Sequence, residues 1–560
     1  MDKKKLKLFA VLSALCLFCV LSEAYLRGYI QPGVKQASKN KTVVDNSQNK
    51  GTEDNNNKES NSNGSNSNTG TGNNTGSNNK EDGQKSTKKT AGTKKPASTK
   101  KPSSAKKIQV LDPVRAANSQ KVRVLVMTSG FESYYHNSVS FTCGGGFTVS
   151  DGKTVKNYSA GKKAVFYMYG KKAKENRKKK YIISPSGNAR IKMLSIKRQD
   201  RQPLYRGTIE VKWTKQGFLV TNELPVEQYL YAVVPSEMST GNNMEALKAQ
   251  AVCARSYAYN QINAKRYKEY NADLDDSVSC QVYNNIPEDK RSRMAVDSTY
   301  GQVITSKGKI IVAYYFSTSW GCTADGQDVW NTTAEVPYLL SSLQVRRKNA
   351  AEQVEADFSD EAKFRDFINS GSYKTYDSSD DWYRWSITFN TASLSSRIDS
   401  ALYNCYLSDK SLVLAQNSKG GFEQKPLKSI GTVKKLRVEK REESGLVTEL
   451  VIVGTGNVVK VCTQYNIRKV LAPVYEKIKR KSGESISSYS MLPSAAFYID
   501  TVKNKKGTSF KITGGGFGHG AGLSQSGAAA MAEAGEDYDV IIKHFFKGTK
   551  VQDVQKVLKD

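Results

Sequence analysis

Between Val34 and Lys107 the chain offers almost nothing to bury. Runs such as Asn55-Asn56-Asn57 and Ser60-Asn61-Ser62-Asn63-Gly64 alternate with lysines and contain few apolar side chains. A segment of that composition cannot offset its own ordering entropy, which predicts a disordered linker over 34–107. Any core must therefore come from 110–560, read here as one folded unit in two lobes. The whole-chain hydrophobic fraction of 38% is diluted by the linker. The formal charge of +32, from 85 Lys+Arg against 53 Asp+Glu, is likewise uneven, with about a third of the excess before residue 110. Eight Cys in 560 residues are too few for a disulfide scaffold, and three His exclude mechanisms that need several histidines.

Ahead of the linker, Lys3, Lys4, Lys5 and Lys7 precede an apolar run from Leu8 to Leu21. This is the charged flank and apolar stretch of an export signal over 1–30. Tyr25 and Leu26 could lengthen it into a single transmembrane anchor, whereas Ser22-Glu23-Ala24 would serve as a cleavage site. Both readings place the remainder outside the membrane, at the wall or secreted, with the basic flank inside. Lys88-Lys89, Lys94-Lys95-Pro96 and Lys100-Lys101-Pro102 make the end of the linker basic. Such a run usually suggests nucleic acid; outside the cell the available polyanions are anionic wall polymers and the membrane surface, so no nucleic-acid partner is expected.

The folded part reads as α+β: β-rich lobes around a short helical segment that carries a candidate active-site turn. Val122–Met127, Phe147–Ser150, Val165–Tyr169, Tyr181–Ile183 and Thr208–Trp213 alternate as strands. Pro225 is placed at the first position of a helix that Pro235 should stop. A second helix should start after Asn242 or Asn243 and run to about Ala264. Strands are expected again at Gln302–Thr305 and Ile310–Phe316, and Val433–Glu439 with Val447–Val453 should form a hairpin. The basic block Lys171–Lys180 reads as a solvated loop.

Three segments can carry chemistry. Val234-Pro235-Ser236-Glu237-Met238 puts a carboxylate among apolar neighbours, where desolvation would raise its pKa as a general acid requires. The bland alternative is a solvated loop glutamate. Ile512 to Gly527 is dense in glycine and presents His519, ahead of a helix over Ala528–Ala534. It lacks the ending of a phosphate-binding loop and the pattern of a nucleophile elbow, and its glycines could simply allow close packing. Tyr314 to Asp325 offers Ser317, Thr318, Ser319 and the aromatic face of Trp320, a set suited to sugars.

Taken together these motifs resemble the stage II sporulation protein D / LytB family. The resemblance rests on Leu224-Pro-Val-Glu-Gln-Tyr-Leu with Pro235-Ser-Glu-Met, on Ala246-Leu-Lys-Ala-Gln-Ala with Ala254-Arg-Ser-Tyr-Ala, on Ser279-Cys-Gln-Val-Tyr283, on Phe316-Ser-Thr-Ser, and on Gly516-Phe-Gly-His-Gly-Ala-Gly-Leu-Ser-Gln-Ser-Gly. It implies a peptidoglycan lytic transglycosylase that leaves anhydromuramoyl ends, in sporulation or another wall-remodelling setting, with Glu237 as the single acid/base. The enhancer branch implies an alternative, a non-catalytic wall-binding enhancer of a cell-wall amidase. Matching the family's motifs, Lys248, Gln250, Arg255, Gln281, Tyr283, Ser317, His519 and Gln525 would line the glycan groove. Relatives that hold a metal use a His where Phe316 stands here, so neither a metal nor another cofactor is expected. A Cys280–Cys322 disulfide is left open.

Overall fold

The computed structural model describes residues 120–558, apart from 286, 346–356, 372, 488 and 506. The expected signal or anchor over 1–30 and the linker over 34–107 lie outside the described residues. Among the described residues no helix is long and apolar enough to cross a membrane.

The fold is α+β. Its N-terminal part holds two sheets, one of seven strands and one of four. In the larger, Lys121–Val126 lies between Phe218–Pro225, antiparallel with Lys121 opposite Pro225, and the short parallel strand Leu274–Asp275. The two sheets meet through Phe166 of the smaller, whose ring lies 4.7 Å from Tyr181 and 6.4 Å from Phe218 of the larger. Phe218–Pro225 escapes a period-2 reading because almost every residue in it is buried, as in a central strand covered on both faces. Even Asn222 is interior; its amide donates to Arg206 O and Thr208 O at 2.8 and 3.0 Å.

That strand feeds the helix that matters most. Pro225 is the last strand residue, with an extended ψ of 143°, and the helix runs Val226–Glu237, straight through Pro235. The expected stop at Pro235, and with it the active-site turn, is thus corrected: Glu237 is the last helical residue. Proline removes one backbone donor, but so near the C-terminus few bonds remain to be broken. Ser236 Oγ donates to Ala232 O at 2.6 Å, and Met238 N closes the end on Val234 O at 3.0 Å.

The second helix, Met244–Ala264, agrees with the sequence. The Asn243 side chain accepts from Glu245 N at 3.0 Å, and Lys265 ends the helix in the left-handed region at φ 52°. It is apolar or buried around most of its circumference, because Val226–Glu237, Lys290–Ser298, Gln525–Glu533 and Tyr538–Phe545 all pack on it. Gln302–Ser306 also lies on it and pairs with the C-terminal strand Lys550–Asp553.

The expected strand Ile310–Phe316 is split into Lys309–Ile310 and Tyr315–Phe316, because its second half takes a different partner. Tyr315–Phe316 pairs in parallel with Leu523–Ser524. Between those two short strands the chain makes a long excursion containing two five-stranded sheets and the helix Thr391–Ser408. The expected hairpin appears there as Val433–Arg441 with Val447–Gly454, carrying register shifts near Val438 and Lys440.

The closure of the excursion depends on glycine. Gly522 has φ +82°, and a Cβ there would lie 2.2 Å from Tyr314 O. Gly522→Ala should therefore destabilise the protein by about 1–3 kcal/mol, seen as a lower urea midpoint with an unchanged slope.

Candidate active site

Glu237 is only 5% exposed, and its Oε1 accepts a hydrogen bond from Val282 N at 2.7 Å. Two buried phenols flank it. Burial holds the ionisation of Tyr229 and Tyr315 well above the usual tyrosine range, and the negative charge of Glu237 adds to the effect on both. Gln281 joins them: Tyr229 Oη donates to its Oε1 at 3.2 Å, and its Nε2 donates to Tyr315 Oη at 3.1 Å and Ala254 O at 3.3 Å. The phenols therefore have fixed orientations around the carboxylate.

Two acids shortly before Val282 in sequence are committed to the fold. Asp275 accepts from Tyr134 Oη, Tyr267 Oη, Ser277 N and Ser277 Oγ at 2.8–2.9 Å. Asp276 is paired with Arg198, both within the interior, and accepts from Met127 N at 3.0 Å.

Tyr315 links this cluster to the glycine-dense loop. The His519 ring bonds the Tyr315 carbonyl and accepts from Ala521 N at 3.2 Å through Nδ1, so the proton sits on Nε2. Burial, then the positive charge of Arg468, pushes its pKa down to about 3. The ring packs among Tyr314, Phe316 and Trp330. A histidine kept neutral in the fold binds fewer protons than the unfolded chain between its depressed pKa and 6.5. Its stabilisation is complete above pH 6.5 and declines as pH falls towards 3, by about 1.4 kcal/mol per pH unit within that window. His519→Gln should flatten the pH dependence of the urea midpoint between pH 4 and 6.5; an unchanged slope would contradict the assignment.

Residues 214–306, which hold Glu237, Gln250, Gln281 and both principal helices, match the family model described as stage II sporulation protein. Curated relatives of that name and of the name amidase enhancer align over more than half of the chain. Residues 214–306 thus carry a SpoIID domain, and the chain is similar to the SpoIID/LytB family beyond it.

Stage II sporulation protein D of Bacillus subtilis is 26% identical over 349 residues, covering 60% of this chain and 76% of the relative. The amidase enhancer of the same organism is 28% identical over 322 residues, 57% of this chain but only 40% of that longer protein. An uncharacterized protein of Brachyspira hyodysenteriae is 28% identical over 357 residues, 64% of this chain and 74% of the relative. Residues 324–522 match a second model, a domain of unknown function, which covers most of the excursion between the paired short strands.

Several of the motif residues are interior in this structure and are held by other side chains. Arg255 is wholly buried and forms a two-pronged pair with Glu227, at 2.8 and 2.7 Å, while donating to Val296 O and Gln302 O. Tyr283 is also interior; its Oη donates to Asn222 at 2.9 Å and its ring lies 4.8 Å from Tyr229. Gln250 and Gln281 are equally enclosed, the former accepting from Gln525 Nε2 at 3.3 Å and so joining Met244–Ala264 to Gln525–Glu533. Lys248 Nζ reaches Glu245 at 2.6 Å and lies over the Tyr538 ring. Ser317 stays half-buried, with Ser526 N donating to its carbonyl at 2.9 Å. Trp320 offers no aromatic face: it is fully buried, and a Cβ on Gly520 would come within 2.5 Å of its ring. The loop glycines serve close packing here. Cys280 and Cys322 are both free thiols.

Asp377 went unmarked in the sequence reading. It accepts from Ser319 N and Ser319 Oγ at 2.9 and 2.8 Å and from Ser524 Oγ, fastening the two short parallel strands together. Asp380 accepts from Ser526 Oγ at 2.8 Å beside it. Their segment, Tyr376–Asp381, has no local pattern that marks it.

Proposed function

We propose that this protein is a peptidoglycan lytic transglycosylase located outside the cytoplasm, with Glu237 as its sole acid/base. The observation that carries the reading is the enclosed Glu237 carboxylate, oriented by the Val282 amide and flanked by Tyr229 and Tyr315, within the segment that matches the sporulation-protein model. Hydrolysis by two carboxylates would need a second acid to activate water. Asp275 and Asp276 are occupied by donors, which favours a reaction that needs one.

In that reaction protonated Glu237 gives its proton to the glycosidic oxygen between MurNAc and GlcNAc as the C1–O bond breaks. The carboxylate then takes the proton of the MurNAc C6 hydroxyl as its oxygen bonds to C1. The product is a 1,6-anhydro ring, and the acid is regenerated without water. Val282 N–H holds one carboxylate oxygen in place through both proton transfers. Digestion of purified peptidoglycan, with mass spectrometry of the soluble fragments, tests this: anhydromuropeptides support it, and reducing ends or no fragments refute it.

The low exposure of Glu237 and the likeness to an amidase enhancer favour a second reading, a wall-binding protein that stimulates a cell-wall amidase without cleaving glycan. It predicts stimulation of the amidase in the absence of anhydro products.

A further inference from the structure

A cationic cavity lies beside the helix that carries Glu237. It has a volume of about 400 Å³ and is lined by Arg190, Glu288, Lys290, Arg293, Met294 and Asp297. Glu288 is nearly buried, and Arg206 already engages both of its oxygens, at 2.5 and 2.9 Å. A structural ion pair is complete at that point. Yet Arg190 reaches the same carboxylate at 3.0 Å and Arg293 lies 3.9 Å from it, while Lys290 stands exposed at the rim. Asp297, the other acid of the lining, accepts from Tyr231 Oη at 2.5 Å. Four cations thus face two carboxylates that already have partners. Burial lowers the pKa of Arg190, and the charges of Arg206 and Arg293 lower it further against the pull of Glu288. Arg190 and Arg293 carry more N–H donors than one shared carboxylate can accept, which leaves donors for a second anion.

The cavity is tied to the candidate acid by the covalent framework. The guanidinium groups of Arg293 and Arg206 lie 5.0 and 5.8 Å from the Tyr231 ring. Tyr231 precedes Glu237 by six residues in one helix, a rise of about 9 Å. Arg291 donates to Thr240 O at 2.8 Å and Asn242 O at 2.6 Å, holding the start of Lys290–Ser298 against the chain that leaves that helix. Along the helix axis the separation of Tyr231 from Glu237 is within the reach of a glycan strand.

We propose that the cavity formed by Arg190, Lys290 and Arg293 around Glu288 is an oxyanion subsite that takes a carboxylate borne by the glycan strand. This rests on the proposed glycan-cleaving function and adds what part of the strand is read. Arg190 and Arg293 supply planar donor forks that match a carboxylate, and Lys290 adds a mobile charge at the entrance. The subsite would position the strand and take no part in proton transfer.

The test measures binding of the full chain, at fixed salt, to two preparations of the same purified glycan strands, one with carboxylates intact and one with them converted to amides. Wild-type protein should bind the intact strands at least tenfold more tightly. Lys290→Gln and Arg293→Gln should each shrink that ratio several-fold while leaving affinity for amidated strands unchanged. Lys171→Gln with Lys172→Gln, on an exposed surface elsewhere, should leave the ratio as it is. Lys290 is exposed, so its variant keeps the test informative if substitution at Arg293 harms folding. Equal binding of both preparations by wild type, or a ratio unchanged in both cavity variants or equally reduced by the surface variant, overturns the subsite and leaves the glycan reading standing. Failure to bind either preparation overturns both.

Discussion

Glu237→Gln should stop the release of anhydromuropeptides, with a fall of about 10²–10⁴-fold in rate, the range a positioned general acid/base contributes. Glutamine is the informative replacement because its carbonyl oxygen can still accept from Val282 N, the bond that holds Glu237 Oε1 at 2.7 Å. Tyr229, Tyr315 and Gln281 keep their mutual hydrogen bonds whichever residue stands at 237. The variant should therefore retain the wild-type urea midpoint within about 1 kcal/mol while losing the chemistry. Product formation at the wild-type rate would remove Glu237 from the mechanism. Retained amidase stimulation, with no anhydro products from either protein, would select the enhancer reading instead.

The largest effect on stability should come from the ion pair that the sequence motif disguised. Arg255→Met leaves Glu227 charged in the interior at the junction of Val226–Glu237, Met244–Ala264 and Lys290–Ser298, where Gly301 N donates to it at 3.2 Å. Leaving one charge of a buried pair uncompensated costs about 3–5 kcal/mol. Replacing both partners, Glu227→Gln with Arg255→Met, removes the stranded charge and should recover a large part of that loss. Urea midpoints of the two singles and the double form a complete cycle. If Arg255 contacted glycan instead, Arg255→Met would weaken strand binding while stability stayed near wild type. That outcome would contradict the burial.

The motif around Pro225 and Glu237 was legible because it combines an unusual carboxylate with helix signals on both sides. What it could not convey is which polar residues face a ligand and which face each other. Arg255, Gln250 and Tyr283 lie close to Glu237 in sequence and share its motif context, yet their partners, Glu227, Gln525 and Asn222, come from other elements. A polar residue with an interior partner and one with a solvent-facing role leave the same letter in the chain. Asp377 shows the converse: a buried carboxylate fastening two strands, in a segment with no pattern of its own.

By itself the sequence determined where the chain can bury a core, the α+β class, the caps of the long helix, the 433–454 hairpin and Glu237 as the residue to question. These follow from local composition, periodicity and turn chemistry, which act over a few residues. Only the tertiary structure decided that the helix continues through Pro235, that Ile310–Phe316 divides between two partners, and that Ser317 meets Ser526 across more than 200 residues of excursion. It also decided that Arg190, Arg206 and Arg293 converge on one glutamate. Burial and charge pairing are properties of surfaces brought together by folding, and no short stretch of sequence contains both sides of the contact.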